Sequence, residues 1–305
     1  MLQYAVRRTL WLIPVLWGVA TITFVLMHSV PGGPWDREKT LPLTVQQNLN
    51  RRYGLDKPVW QQYFRFLAGV ARGDLGVSYT YQDREVVSII AGGLPVTATV
   101  GLTAFTLAIL VGVPLGLAAA LRQNSLLDYV SVLFATSFAS IPGFVLGILL
   151  IILFSVTLHL LPTGGWGSVK QVIMPAAALG ALPAAWAARL TRASVLEVVG
   201  QDYVRTAYAK GLPDRVIYYR HILRNALIPV ITIMGIELAA LVTGSFIIEN
   251  LFSIPGVGRL FVQGVFQRDY GLIMGSVLFY AFVVALLNLA VDLLYGVVDP
   301  RVRYR

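Results

Sequence analysis

Apolar residues in this 305-residue chain are gathered into blocks instead of alternating or recurring every three to four positions. Six blocks run from Thr9 to Val30, Leu94 to Leu121, Tyr129 to Leu158, Gln171 to Ala188, Asn225 to Ile248 and Tyr270 to Val291. Each approaches or exceeds the ~20 residues that a helix needs to cross a bilayer. Asp, Glu, Lys and Arg are missing from all of them except the fifth, which carries Glu237. Hydrocarbon has no water to pair backbone amides, so a spanning segment is a helix or part of a closed barrel. Uninterrupted apolar runs lack a barrel's alternation. The pattern therefore predicts an all-α membrane protein with six transmembrane helices. The first block follows Arg7 and Arg8, as a signal peptide would, but it is longer than an h-region of roughly 7–15 residues. Met27-His28-Ser29-Val30-Pro31 also makes a poor cleavage site, and the expectation is an uncleaved anchor.

The polar stretches divide the chain into an N-terminal tail and anchor over 1–30, an external segment over 31–93, and a core of five spans over 94–305 that contains a polar cytoplasmic loop at 189–224. Within the segment, Leu43 to Tyr53 and Val59 to Ala71 read as short helices. The second places Val59, Tyr63, Phe66, Leu67 and Val70 on one face, suited to lying along the membrane surface or to capping a helix bundle, with capping the favoured role. The 189–224 loop carries seven basic and three acidic residues (Glu197, Asp202, Asp214). There, Tyr203 to Lys210 reads as a helix opened by Asp202 as N-cap and closed by Gly211, with Pro213 beyond it. A second helix starts at Pro213-Asp214 and runs through Tyr218, Tyr219 and His221 into the fifth span. Helix, Gly-Leu-Pro break and helix make a stiff elbow suited to docking.

Composition sharpens this. Hydrophobic residues make up 57% of the chain and charged ones 13%, about half the charge usual in soluble proteins. Lys and Arg in short loops set orientation. With the N-terminus inside, thirteen fall on the cytoplasmic side, including Arg301, Arg303 and Arg305, against Lys170, Arg259 and Arg268 in the two short external loops, while the eight in the external 31–93 segment lie in a stretch too long for the rule to bind. Both termini are thus expected in the cytoplasm of a multi-pass inner-membrane protein. The net charge of +9 is accounted for by this placement, and no nucleic-acid partner is expected beside the lipid bilayer. Cysteine is absent, which excludes disulfides, thiolate metal sites and a thiol nucleophile.

Candidate chemistry is sparse. No Gly-x-x-x-x-Gly-Lys-Ser/Thr loop is present to hold nucleotide phosphates. Gly256-Val257-Gly258 lacks a third glycine, Phe261 standing in its place, and reads as a turn. His28, His159 and His221 are scattered, and no Gly-x-Ser-x-Gly elbow occurs. No catalytic residue, metal site or bound cofactor is expected. Polar groups inside the spans are costly and invite a functional reading: Thr99, Thr103 and Thr106 on one face, Ser137 and Ser140 before a kink at Pro142, Glu237 mid-span, Glu249 and Asn250 at the outer end of the fifth helix, and Asn288 and Asp292 on the sixth. They either line a pathway or make ordinary interhelical hydrogen bonds. Gly112-x-x-x-Gly116 and Gly143-x-x-x-Gly147 allow close helix approach.

At the elbow the sequence becomes specific. Asp202-Tyr-Val-Arg-Thr-Ala-Tyr-Ala-Lys-Gly-Leu-Pro followed by His221-Ile-Leu-Arg-Asn-Ala-Leu-Ile-Pro229 closely resembles the coupling loop of binding-protein-dependent ABC importer permeases, above all the B-type subunit of the dipeptide and oligopeptide (peptide/nickel) group. The resemblance extends through Tyr53-Gly-Leu-Asp-Lys-Pro, Gly73-Asp-Leu-Gly-Val-Ser, Glu249-Asn-Leu-Phe-Ser-Ile-Pro-Gly-Val-Gly-Arg-Leu, Arg268-Asp-Tyr and Asn288-Leu-Ala-Val-Asp-Leu-Leu-Tyr to Asp299-Pro-Arg-Val-Arg-Tyr. It departs from the general permease pattern, Glu-Ala-Ala-x-x-x-Gly with a later Ile-x-Leu-Pro, because Arg205-Thr206-Ala207 replaces its start and Pro229 lies farther downstream.

The resemblance implies a type I ABC importer (MetI-like) permease fold and a subunit that is not itself an enzyme. By the same resemblance, Asp202, Tyr203, Arg205, Thr206, Ala207, Lys210, Gly211, Leu212 and Pro213 would couple to two cytoplasmic ATPase subunits that hold ATP and Mg. A second homologous permease would complete the pathway, and an external solute-binding protein would deliver the cargo. Similar permeases carry dipeptides, longer peptides, glutathione, nickel complexes or oligosaccharides. The competing class is a proton-coupled secondary transporter using Glu237 or Asp292. Such folds often show inverted repeats, and no internal repeat is visible here.

Overall fold

The computed structural model describes residues 2–35, 42–81 and 84–298, with side chains described for 6–35, 42–81 and 84–290. The side chain of Asp292 and the whole Asp299-Pro-Arg-Val-Arg-Tyr motif, with Arg301, Arg303 and Arg305, lie outside the described residues.

Every apolar block is helical. In order these are α1 (Leu2–Ser29), α2 (Leu43–Tyr53), α3 (Val59–Val70), α4 (Val86–Leu121), α5 (Leu126–Ser140), α6 (Gly143–Leu150), which continues as a π-helical stretch Ile151–Thr157, and α7 (Val169–Val199). There follow α8 (Asp202–Ala209), α9 (Asp214–Val216) with a π-helical stretch Ile217–Leu223, α10 (Arg224–Thr243), α11 (Phe246–Leu251), α12 (Val257–Phe266) and α13 (Tyr270–Val298). Five runs are long and apolar enough to cross a membrane: Val6–Ser29, Val86–Leu121, Val169–Val199, Asp214–Leu251 and Tyr270–Ala290. The expected third span supplies the sixth only as a broken pair, because α5 and α6 meet at 104° across Ile141-Pro142. The kink read at Pro142 is therefore a full break: Pro142 has no N–H to continue the ladder, and its ring disfavours a helical Ile141, which is extended. At 36 residues, α4 spans about 54 Å and overshoots the hydrocarbon.

The chain divides into two compact units, Met1–Thr97 with Pro255–Leu289, and Ala98–Ile254 with Ala290–Arg305. In the first, Tyr63 and Phe66 of α3 pack on Phe24 of α1 together with Tyr270 and Met274 of α13. Thr21 and Tyr63 share a hydrogen bond of 2.7 Å. Tyr63 and Phe66 of the face predicted for α3 thus pack on a transmembrane helix, whereas Val59 of that face is exposed. The tie between segments is Asp269, fully buried. Its carboxylate accepts from the Ser78 hydroxyl, from the Thr80 N–H at 3.0 Å and from the Leu272 N–H at 3.0 Å. Its neighbours reach the exit of α1: Arg268 Nη1 donates to Pro31 O and the Tyr270 hydroxyl to Gly32 O, both at 3.3 Å. Burial first, and the Asp269 charge second, push the nearby Tyr79 phenol well above its usual range.

In the second unit α7 is the central helix, packing against α5, α6, α10 and α11. Its inward face is built from small residues, among them Ala184, Ala185, Ala187 and Ala188. These receive Gly112 and Gly116 of α4 at backbone contact. A Cβ on Gly112 would sit 2.8 Å from Ala187 Cβ, and one on Gly116 2.8 Å from Thr191 Cβ. Without a hydrophobic force between helices in lipid, such close backbone approach is what drives association.

Candidate functional site

The polar connection is shorter than the sequence suggests. Helix α7 continues to Val199, carrying Arg189, Arg192 and Glu197 on its last turns, and α10 begins at Arg224. The elbow proper is residues 200–223. Gln201, not Asp202, is the N-cap residue of α8 and makes no side-chain cap. Asp202 is the first helical residue, where its negative charge suits the helix N-terminus, and its carbonyl accepts from Thr206 Oγ1 at 2.9 Å.

The other end of α8 closes as predicted. Gly211 takes φ +71°, the left-handed conformation that glycine adopts at no steric cost. Its N–H donates to Tyr208 O at 2.9 Å and the Leu212 N–H to Ala207 O at 3.3 Å, the paired bonds of a Schellman closure. Pro213, unable to prolong α8, starts the returning arm.

What stiffens the elbow is its buried side. Val204 and Ala207, three apart on α8, pack with Val195 of α7, Ile217 and Ile222 of the π-helical arm, Ala226 of α10 and Ala120 at the end of α4. The two arms are pinned by hydrogen bonds as well. Asn225 Nδ2 donates to the Tyr203 hydroxyl and to His221 O, each at 3.0 Å. A hydrogen bond with Tyr218, ahead of slight burial, pushes the Tyr208 phenol up. Of the nine residues predicted to couple, Ala207 faces inward and anchors the helix. Asp202, Tyr203, Arg205, Thr206, Lys210, Gly211, Leu212 and Pro213 are exposed. Arg205 and Asp202 approach to 3.7 Å with both side chains largely in solvent, a pair that contributes little. The exposed surface mixes charge with the apolar parts of Tyr203, Tyr208 and Leu212.

Sequence reasoning missed a clasp beside the elbow. Asp128 on the first turn of α5 receives Arg192 of α7 in two parallel bonds, Nε at 2.6 Å and Nη2 at 2.8 Å, plus the Asn124 N–H at 3.0 Å. The carboxylate is buried and the guanidinium partly open. The signal was available, since Ser125-x-x-Asp128 before an apolar run is an N-terminal capping pattern, and the Ser125 hydroxyl does accept from the Asp128 N–H.

The polar residues predicted inside the spans do not converge. Thr103 and Ser140 donate to the carbonyls of Thr99 and Thr136, four residues back. Thr99, Ser137 and Asn250 are exposed, and Glu249 is buried on the first turn of α11. Glu237 lines a cavity of about 340 Å³ with Phe144, Leu179, Leu182, Pro183 and Ile248. The cavity includes Gly143, directly after the Ile141-Pro142 break, and Gly244-Ser245, where α10 ends at a glycine with φ +83°. No cluster of three His, Cys, Asp or Glu that could hold a metal occurs among the described residues.

Residues 112–304, which hold the elbow, the clasp and the cavity, match the family described as binding-protein-dependent transport system inner membrane component, and residues 1–101 match its N-terminal counterpart. The chain belongs to this family of transport permeases. It is 42% identical over 306 residues, all of both chains, to the oligopeptide transport system permease protein OppB of Salmonella typhimurium, and equally to that of Escherichia coli. It is 43% identical over 303 residues to the dipeptide transport system permease protein DppB of Bacillus subtilis, covering 99% of this permease and 98% of that one. Among solved structures, an inward-facing methionine ABC transporter, MetNI, aligns at a TM-score of 0.57 and 19% identity over 70% of this permease and 97% of that chain. An amino acid ABC transporter with histidines aligns at 0.53 and 18% over 68% and 94%. The permease therefore has the MetI-like, type I importer fold.

Proposed function

We propose that this permease forms half of a translocation pathway for peptides, delivered by an external solute-binding protein and driven by ATP hydrolysis in two cytoplasmic ATPase subunits, with a second homologous permease as its partner. The observation that carries the reading is the elbow. A rigid projection whose buried side is cemented to α4, α7 and α10, and whose open side offers Arg205, Thr206, Lys210 and Leu212, is built to receive a push from a partner and pass it on. Full-length similarity to oligopeptide and dipeptide permeases supports peptides over nickel complexes, glutathione or oligosaccharides as cargo. The ATP and Mg belong to the ATPases, and both termini lie with the elbow in the cytoplasm.

Because the chain has no cysteine, Thr206→Cys provides a clean probe. In intact cells it is expected to resist a membrane-impermeant thiol reagent, to react after permeabilisation, and to crosslink to the ATPase subunit. Labelling from outside intact cells, or peptide uptake by the purified permease without ATPases, would overturn the reading.

A further inference from the structure

Glu237 stands thirteen residues beyond the start of α10, about 20 Å along the helix, and so deep within a span. Charged groups at that depth are costly and as a rule pair with another group or face a cavity. No hydrogen bond or ion pair reaches this carboxylate among the described residues, and no basic residue lines its cavity. Apart from Ser245, the remaining wall is glycine or apolar. A carboxylate left so in an otherwise apolar hollow awaits a positive group that arrives from elsewhere. The walls can yield as well, since the cavity borders the α5–α6 break and the α10–α11 break.

We infer that Glu237 is a station for the ammonium group of the passing solute, receiving the N-terminal ammonium of a peptide while Phe144, Leu179, Leu182 and Ile248 accept whatever apolar surface follows. The inference rests on the peptide reading above and deepens it. An ammonium terminus is the one cation common to unmodified peptides of any sequence, and a smooth apolar wall makes no demand on side-chain identity. At about 340 Å³ the hollow is at the small end for ligand sites, enough for the leading residue of a peptide and not for a whole oligopeptide.

The test compares uptake of one tripeptide with that of its N-acetylated form by the complete assembly in proteoliposomes, for wild type, Glu237→Gln and Glu237→Asp. The same binding protein serves all three, so its own preference cancels when each variant is divided by wild type. Glu237→Gln keeps shape and removes charge. It is expected to slow the free-amine peptide about tenfold, the low end for a hydrogen bond to a charged group, and to leave the acetylated peptide unchanged. Glu237→Asp is expected to retain the discrimination. Equal slowing of both peptides, or no change in either, overturns the inference, as does loss of the second permease from purified Glu237→Gln, which would mark Glu237 as the partner of a cation on that subunit. If wild type imports neither peptide, the peptide reading itself falls and this inference with it.

Discussion

Replacing Gly211 tests whether the elbow transmits force. A Cβ at this position meets nothing within 4 Å, so a side chain fits and the penalty is confined to the backbone. At φ +71° an L-residue costs roughly 1–2 kcal/mol relative to glycine, with valine at the upper end because of its branched Cβ and asparagine well below it. Relaxing that strain means turning Gly211 out of the left-handed region, which breaks the closure bonds to Tyr208 and Ala207 and swings Leu212 and Pro213 away from α8. A shift of 1–2 kcal/mol changes the ratio of closed to opened elbow by about 5- to 30-fold. The assay is ATP hydrolysed per peptide imported by the reconstituted assembly. Gly211→Val is expected to raise that ratio at least about fivefold while the permease still inserts and purifies as a single species. Gly211→Asn should stay near wild type and Gly211→Ala should fall between. Wild-type coupling in Gly211→Val would refute the idea that the α8 closure carries the stroke, and equal damage from valine and asparagine would place the effect in side-chain bulk instead.

Two further substitutions probe the supports around this device. Asp269→Ala removes the carboxylate that accepts from the buried Ser78 hydroxyl and the Leu272 N–H, at about 1–3 kcal/mol each, while the Thr80 N–H keeps Ser78 Oγ as an acceptor; protease should then cut within 42–81 faster than in wild type, and an unchanged cleavage rate would remove Asp269 as the tie. Asp128→Asn is expected to weaken coupling without preventing assembly, Arg192→Lys to do so too because lysine cannot reproduce the two-pronged contact, and the exchange Asp128→Arg with Arg192→Asp to recover part of it; full coupling in Asp128→Asn would show that the clasp is not needed.

Features set by local chemistry were readable from the sequence. The apolar blocks, the two short helices at 43–53 and 59–70, and the Gly211-Leu212-Pro213 closure follow from run length, face periodicity and turn residues within a few positions. Helix ends drifted where the signal was charge: Arg189 and Arg192 look like a loop by polarity, yet α7 carries them on its final turns past the edge of the apolar region. What sequence reading could not supply was pairing over distance. The Arg268-Asp269-Tyr270 and Gly73–Ser78 motifs were visible as separate strings 191 residues apart at Ser78 and Asp269, and nothing local says that one carboxylate holds both. Similarly Asp128 and Arg192, 64 residues apart, are each unremarkable until α5 lies on α7. The polar residues of the spans were legible as candidates only. Thr103 and Ser140 turned out to satisfy themselves on their own helices, whereas Glu237 lines a cavity.

Stiff and yielding parts are arranged so that displacement at one end of the second unit has somewhere to go. Helix α5 starts at the Asp128 clasp and ends at Ser140 beside the Pro142 break; α10 starts at Arg224 against the elbow and ends at Thr243 beside Gly244. Helix α10 joins the packed base of α8, through Ala226, to the wall of the Glu237 cavity, whereas α5 runs from its clasp on α7 to the break that precedes Gly143 and Phe144 of that wall; their lengths are about 30 Å and 22 Å at 1.5 Å per residue. A push on α8 cannot be absorbed at its base, because Val204 and Ala207 are packed among α4, α7 and α10 with no exposed apolar slack. It must travel along the helices, and both meet interruptions in their backbone ladders, where a change in direction breaks no further helical bond. Close small-residue contact between α4 and α7 at Gly112 and Gly116 keeps the centre from shearing. On the function proposed above, motion is directed to the two breaks that border Glu237, and an alternating change at the cavity then requires only that the elbow occupy two positions, each selected by one state of the proposed ATPase partners.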